Sequence, residues 1–106
     1  MPKYLLQASY VGDGIKGLLK EGGSSRKAAA DKAIRSVGGT MEAFYFAFGE
    51  SDAYVVAEVP DQVSMSALAL TINASGAVKT KTTVLLSAEE VDMAVKKSPS
   101  YRAPGQ

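Results

Sequence analysis

Asp52 and Tyr54 are the side chains best suited to acid–base chemistry, and they stand just after a short polar break in the chain. The Asp52 carboxylate can accept a proton or orient a substrate hydroxyl, and the Tyr54 phenol can donate to an oxyanion. Each also has a structural explanation, because an aspartate there can form an Asx-turn and a tyrosine can pack across strands. We therefore treat both as candidate catalytic residues and keep the structural alternative open.

A second set of candidates, suited to binding an anion, opens a predicted helix. Free backbone N–H groups at a helix start, two hydroxyls and a guanidinium can together hold a phosphate or a carboxylate. The alternative is a flexible joint followed by a serine cap. A P-loop is excluded, because its glycine spacing and its Lys-Ser/Thr ending are absent. The candidate anion-binding residues are Gly23, Ser24, Ser25 and Arg26.

Four further polar residues are candidate ligand contacts on predicted strands. Gln7 and Tyr10 lie on the first strand, and Lys79 and Lys81 lie on the last. If those strands are neighbours in the sheet, the two pairs approach each other. A buried lysine with a lowered pKa would then be a candidate base. The alternative is an edge strand whose lysines oppose aggregation.

Composition removes several classes of chemistry. The 106 residues include no histidine and no cysteine. Disulfides and thiolate metal sites are therefore excluded, and the commonest general base and transition-metal ligand is missing. We predict no metal and no cofactor. This composition argues against ordinary hydrolases and metalloenzymes.

The charge pattern argues against nucleic-acid and membrane partners. The net charge is +1, with lysines and arginines scattered along the chain, so no strong field recruits a polyanion. The aromatic run Phe44–Phe48 resembles the stacking surface of some RNA-binding sheets. It lies on the wrong strand and lacks neighbouring basic residues, so we reject that function. No secretory signal or long apolar run is visible, and we expect a cytoplasmic protein.

Alternating apolar residues and turn signals predict the elements that position these candidates. Helices are expected after Asp13, from Ser24 or Ser25, over 62–76, and after the Ser87 capping box. Strands are expected over 3–10, 41–48, 53–59 and 77–86. The 62–76 segment carries no charged residue, and we expect one apolar stripe of this helix to face the core, with a second group of apolar residues that widens it. The stripe is Val63, Ala67, Leu70 and Ala74, and the widening group is Met65, Leu68 and Ile72.

The order of elements predicts an α+β fold of the ferredoxin-like βαββαβ type. We expect a four-stranded antiparallel sheet in the order 4-1-3-2, helices on one face, and an extra C-terminal helix. Residues 1–97 form one domain and residues 98–106 form a tail. In the 41–48 strand, Phe44, Phe46 and Phe48 should share a face with Glu42, and Met41 should lie on the opposite face.

Neither strand of the 41–59 hairpin shows a clean polar face. A bare apolar sheet face is uncommon in monomers, so we predict sheet-to-sheet self-association into a homodimer or a higher oligomer.

The chain resembles the GYD domain family over nearly its whole length. The break Gly49-Glu-Ser-Asp52 matches the G-x-x-D core of the hairpin break, although Ser51 stands where the family has its tyrosine. The resemblance implies a fold similar to the dimeric α+β barrels, whose members include cofactor-free monooxygenases, isomerases and ligand-sensing modules. It implies no particular activity. The other matching stretches are 2–10, 16–24, 42–49, 73–78 and 81–83.

Three functions follow as hypotheses. The first is a module that binds or senses a small molecule held between sheet and helices. The second is a cofactor-independent enzyme, an oxygenase or isomerase, that uses tyrosine, aspartate and lysine in an apolar pocket. The third is a structural oligomer without a ligand. An apolar pocket that converges on a candidate residue would favour the first two.

Overall fold

Four strands and four helices make up the computed structural model, which describes residues 1–106. None of the helices combines the length and the apolar character needed to cross a membrane. In chain order the elements are β1 (Lys3–Tyr10), α1 (Gly14–Glu21), α2 (Gly23–Ser36), β2 (Thr40–Phe46), β3 (Ala53–Glu58), α3 (Gln62–Ala74), β4 (Val78–Leu85) and α4 (Ala88–Lys97).

The four strands form one antiparallel sheet in the order β2-β3-β1-β4. The predicted order is therefore confirmed, and the arrangement is consistent with a ferredoxin-like fold. β1 and β3 are the central strands, and β2 and β4 form the two edges. Leu6 of β1 lies opposite Val55 of β3 on one side and Thr82 of β4 on the other.

The core lies between one face of this sheet and helices α2 and α3. Tyr4 and Leu6 of β1 are buried there against Ile34 of α2 and against Met65 and Leu68 of α3. Successive strand residues point to opposite faces, so the odd-numbered residues of β1 lie on the other side of the sheet. We call that side, which no helix of the core covers, the open face. Its central residues are Lys3, Leu5, Gln7 and Ser9 of β1 and Tyr54, Val56 and Glu58 of β3.

The predicted core stripe of α3 is wrong. Met65 and Leu68 are buried and Ile72 packs against them, so the group expected to widen the stripe is the one that faces the sheet. Leu70 is 72% exposed, whereas Leu68 is 4% exposed. Both stripes are apolar, and no charged residue marks the wet side. The residues of the predicted stripe, Val63, Ala67, Leu70 and Ala74, are all exposed.

A β-bulge changes the predicted faces of β2. The register with β3 shifts between Met41 and Ala43, so Met41 and Phe44 both pack against the core. The prediction that Met41 lies on the face opposite Phe44 is therefore wrong. An extra residue in one strand reverses the alternation beyond it. Glu42 instead forms an ion pair with Lys3, with 3.0 Å between Nζ and Oε2.

The helices begin where predicted except at α2, although Asp13 at the start of α1 makes no capping hydrogen bond. Asp61 caps α3 by accepting a hydrogen bond from the Ser64 N–H, and Ser87 with Glu90 forms the predicted capping box of α4. α2 begins at Gly23, one residue before the predicted serines, and its N-cap Gly22 supplies no side chain. Ser24 and Ser25 therefore lie inside the first turn, and the prediction that one of them caps the helix is wrong.

Helix α4 lies apart from the rest of the fold. None of its residues is buried, and Val91, Met93 and Val95 on its sides are exposed. The radius of gyration is 16.7 Å and the molecule measures 56 × 33 × 22 Å. A compact domain of about 100 residues has a radius of gyration of about 13 Å. The chain is thus an α+β body with a helical arm.

Candidate functional site

An apolar cavity lies between the sheet and helices α2 and α3. Its volume is about 80 Å³. It exists because small side chains meet there from three directions: Ala8 on β1, Ala53 on β3 and Ala30 on α2. A single water needs about 10–15 Å³ measured in this way, so the space is several times larger. The other lining residues are Leu6, Tyr10, Arg26, Ile34, Phe44, Val55, Leu68, Ile72, Val78 and Thr80.

Arg26 brings a cation to the rim of this cavity. It lies in the first turn of α2, and its Nε is buried without a hydrogen-bond partner. Its Nη1 lies 3.5 Å from Oε2 of Glu21 in a half-exposed ion pair. A buried donor without a partner is costly, and guanidinium groups bind carboxylates through two parallel hydrogen bonds. The guanidinium therefore has hydrogen-bonding capacity that this chain does not use.

A polar cleft of about 270 Å³ adjoins the cavity. The two share Tyr10, Arg26 and Val78, so these residues stand between an apolar chamber and a polar one. α1 forms one wall of the cleft, because Gly14 lies so close to the Ala77 carbonyl that no Cβ would fit between them. The cleft adds two carboxylates and a hydroxyl, from Asp13, Glu21 and Ser75.

Of the residues predicted from the sequence, Tyr10 and Arg26 line both the cavity and the adjoining cleft. Alternation along β1 places the Tyr10 side chain on the helix face, and Val78 is its register partner on β4. The backbone at this point is held by Asp52, whose Oδ2 accepts a hydrogen bond from the Tyr10 N–H at 2.8 Å.

Asp52 and Tyr54, the predicted catalytic pair, do not line the cavity. The backbone N–H of Asp52 donates to the Ala8 carbonyl and its carboxylate accepts from Tyr10, so it joins the hairpin loop to the end of β1. Tyr54 lies on the open face, where its register partners are Gln7 on β1 and Tyr45 on β2. Asp52 and Tyr54 do not lie in one pocket, and their catalytic role stays a prediction.

The four predicted ligand contacts divide between the two faces of the sheet. Lys81 lies opposite Gln7, and Lys79 lies opposite Ser9, so the lysines and Gln7 share the open face. Tyr10 is on the helix face. The prediction that Gln7 approaches Lys81 is confirmed by this register, but Tyr10 does not join them. Gln7 donates from Nε2 to the Ser51 hydroxyl at 3.4 Å.

The predicted anion-binding segment is also divided. Ser24 and Ser25 are exposed in the first turn of α2, and they do not line the cavity. Gly23 packs beside the Phe46 ring, where a Cβ would lie 3.0 Å from a ring carbon. Of the four residues, Arg26 alone faces the site.

Sequence reasoning missed the wall that α3 and β4 contribute. Thr80 and Ile72 line the cavity, and Asn73 holds the two elements together. The Asn73 amide donates to the Thr80 hydroxyl at 2.9 Å, and its oxygen accepts from the Thr80 N–H at 3.1 Å. No local pattern in the sequence marks this wall, because it forms only where α3 packs beside β4.

The ionisable groups with clearly shifted pKa values lie away from the cavity. A hydrogen bond with Glu42 raises the pKa of Lys3. A hydrogen bond from the Ser64 backbone lowers the pKa of Asp61, and one from the Ser87 backbone lowers that of Glu90. These shifts belong to an ion pair and two helix caps, so they report structure rather than a reactive centre.

Comparison with known proteins identifies one family. A family model described as GYD domain matches residues 4–95, which includes all of the four strands except Lys3, and most of α4. No curated protein and no solved structure matches the chain.

Proposed function

The chain belongs to the GYD domain family, and from its cavity and its open sheet face we propose that it is a self-associating module that binds a small amphipathic carboxylate. The observation that carries this proposal is that Arg26 lines an apolar cavity while its buried Nε lacks a hydrogen-bond partner. Binding sites of this kind combine apolar walls with a few polar groups that fix the ligand's orientation.

The shape of the site limits the ligand. A cavity of about 80 Å³ accepts a short aliphatic chain or part of a small ring. The carboxylate of such a ligand would lie at Arg26, beside the Tyr10 side chain, and the adjoining cleft of about 270 Å³ would hold a polar head. The existing ion pair with Glu21 does not prevent this, because a half-exposed pair contributes little and Nε has no hydrogen-bond partner.

Hexanoate and hexanol are suitable probes, since they share an aliphatic chain and differ in the charged head. Amide chemical-shift changes should cluster on β1, α2 and α3 for both probes, with tighter binding of hexanoate. Arg26→Gln should remove the preference for hexanoate. Arg35→Gln is the matched control, because Arg35 lies on the same helix but pairs with Asp31 outside the cavity.

A second variant tests the cavity rather than the cation. Ala30→Leu should fill the space and weaken the binding of both probes, while Ala28→Leu, exposed on the same helix, should weaken neither. Failure of the wild type to bind either probe at millimolar concentration would overturn the proposal. Equal loss of binding in the Arg26 and Arg35 variants would also contradict it.

Self-association is supported by the composition of the open face. Leu5 and Val56 lie opposite each other at its centre, and Tyr45 near its edge is 72% exposed. Burial of such a surface against a second copy is favourable. Native mass spectrometry should show a dimer or a larger even assembly. Val56→Lys should dissociate it, and Leu19→Lys, at an exposed position of α1, should not.

The cofactor-independent enzyme, the alternative function, has weaker support. Its predicted residues Asp52 and Tyr54 do not line the cavity, and the Asp52 carboxylate is already bonded to the β1 backbone. Tyr10 alone would offer a proton donor to a bound ligand. We therefore favour binding over catalysis.

A further inference from the structure

The sequence of α4 strongly favours a helix, yet no other part of the chain packs over its apolar side chains. It has a capping box, acidic residues in the first turn and lysines in the last turn. Those devices stabilise a helix modestly, but ten residues are too few for an isolated helix to be stable in water. Its apolar stripe, Val91, Ala94 and Val95, is exposed. A covering surface is therefore missing from the single chain.

The position of α4 shows where that surface lies. The residues that begin the arm, Leu86, Ser87 and Glu90, border a cleft of about 420 Å³ together with part of the sheet. That part is Lys3, Glu58 and Leu85, which are register partners on the open face. The arm thus starts at one end of the open face. Lys79 and Lys81 lie toward the other end of β4 on the same face.

Charge complementarity selects one way of pairing two open faces. With the two-fold axis along the strands, the acidic first turn of α4 meets the β2 edge of the second copy, where Glu42 lies. With the axis across the strands, β4 lies over β4 of the second copy, and the two strands run in opposite directions. The first turn of α4 then meets Lys79 and Lys81 of the second copy. Opposite charges then face each other twice, as the symmetry requires.

We propose that α4 is an exchanged arm that docks on β4 of a second copy of this chain. Val91 and Val95 cover the aliphatic stems of that copy's Lys79 and Lys81, and Asp92, which helical geometry places beside the stripe, pairs with their ammonium groups. This inference rests on the proposed self-association through the open face and adds the arm to it. It also explains why an exposed edge strand carries two lysines.

A charge exchange between two chains tests the arm directly. One variant carries Lys79→Glu with Lys81→Glu, and the other carries Glu89→Lys with Asp92→Lys. Each alone places like charges in contact in its homodimer, so each should dissociate at least tenfold more readily than the wild type. In a one-to-one mixture both contacts become complementary, and native mass spectrometry should show heterodimers of near wild-type stability.

Cysteine crosslinking gives a second test that does not depend on charge, and the natural chain contains no cysteine. A mixture of Val95→Cys and Lys81→Cys chains should form a disulfide between the two chains. The control pair, Val95→Cys with Lys27→Cys, places the second thiol on exposed α2 and should not crosslink.

The outcomes separate the arm from the sheet association. If the mixture of charge variants shows no rescue and the cysteine pair does not crosslink, while the wild type is still a dimer that Val56→Lys dissociates, the exchanged arm is wrong and the sheet association stands. If a chain with both cysteines closes an internal disulfide, α4 docks on its own sheet and the proposal is overturned. A wild type that is monomeric at 100 μM would overturn both.

Discussion

The carboxylate of Asp52 accepts a hydrogen bond from the backbone N–H of Tyr10, with 2.8 Å between Oδ2 and N. The loop between β2 and β3 is joined to the end of β1 at this point, because the Asp52 N–H also donates to the Ala8 carbonyl. The same short segment of β1 then presents the Tyr10 side chain to the cavity. Asp52 therefore positions one wall of the proposed ligand site from outside it.

Replacement of Asp52 should reduce stability through this hydrogen bond. Asp52→Ala leaves the Tyr10 N–H without its acceptor, and loss of a hydrogen bond to a charged group costs about 1–3 kcal/mol. Asp52→Asn keeps an oxygen acceptor and should recover part of that loss. Urea unfolding measures both. Asp31→Ala, which removes an i,i+4 ion pair on α2, is the control and should cost no more than about 0.5 kcal/mol.

The orientation of α3 predicts opposite results for two leucines on the same helix. Leu68→Ala should reduce the free energy of unfolding by about 2–5 kcal/mol, because it empties a buried position between the helix and the sheet. Leu70→Ala should change it by less than about 0.5 kcal/mol, as expected for an exposed site. Thermal unfolding of the two variants compares them directly. Equal costs would show that the side of α3 that carries Leu70 is also buried in solution, against a surface outside this chain.

Two glycines of α1 should respond to alanine in opposite directions. A Cβ on Gly14 would overlap the Ala77 carbonyl oxygen, so Gly14→Ala must displace α1 from β4 and reduce stability. Gly17 has open space around it, and Gly17→Ala should stabilise the helix by about 0.5–1 kcal/mol. Denaturant unfolding measures both effects. Because Gly14 lines the polar cleft, the Gly14 variant should also weaken the binding of hexanoate.

Local patterns predicted the order of elements and the strand neighbours, and these determine most of the fold. Turn residues and caps such as Asp61 and Ser87 act on backbone groups a few residues away, so they can be recognised from the sequence. Which side of α3 faces the core could not be predicted, because both of its stripes are apolar and no charged residue marks the solvent side. The bulge after Met41 was missed for a related reason, since period-two alternation cannot reveal an inserted residue.

The candidate site was harder to predict than the fold. Tyr10 and Arg26 were each identified, but for different sites, because their meeting depends on how α2 lies over β1. The cavity arises from three alanines that are distant in the chain: Ala8, Ala30 and Ala53. Single residues of small volume carry no local signal, and only the packed structure shows that they leave the same space empty.

The cap of α4 should make the arm sensitive to acid. Glu90 Oε1 accepts a hydrogen bond from the Ser87 N–H at 3.0 Å, and this bond lowers the pKa of Glu90 from its ordinary value of 4.5. A carboxyl whose pKa is lower in the folded state adds stability above its ordinary pKa, and this stability is lost as the pH falls through the folded value. Backbone ¹³Cα shifts of Val91 and Val95 should therefore lose helical character below about pH 4.5.

Glu90→Gln separates the cap from the other acids of α4. The glutamine keeps an oxygen acceptor for the Ser87 N–H but does not titrate, so its helical shifts should be lower at neutral pH and change less between pH 7 and pH 3. The same titration followed at Ser64 should show the equivalent loss for Asp61, whose pKa is lowered by the cap of α3. An arm whose helical shifts stay constant to pH 2 would contradict the capping mechanism, and one that gains helicity on acidification would reverse its sign.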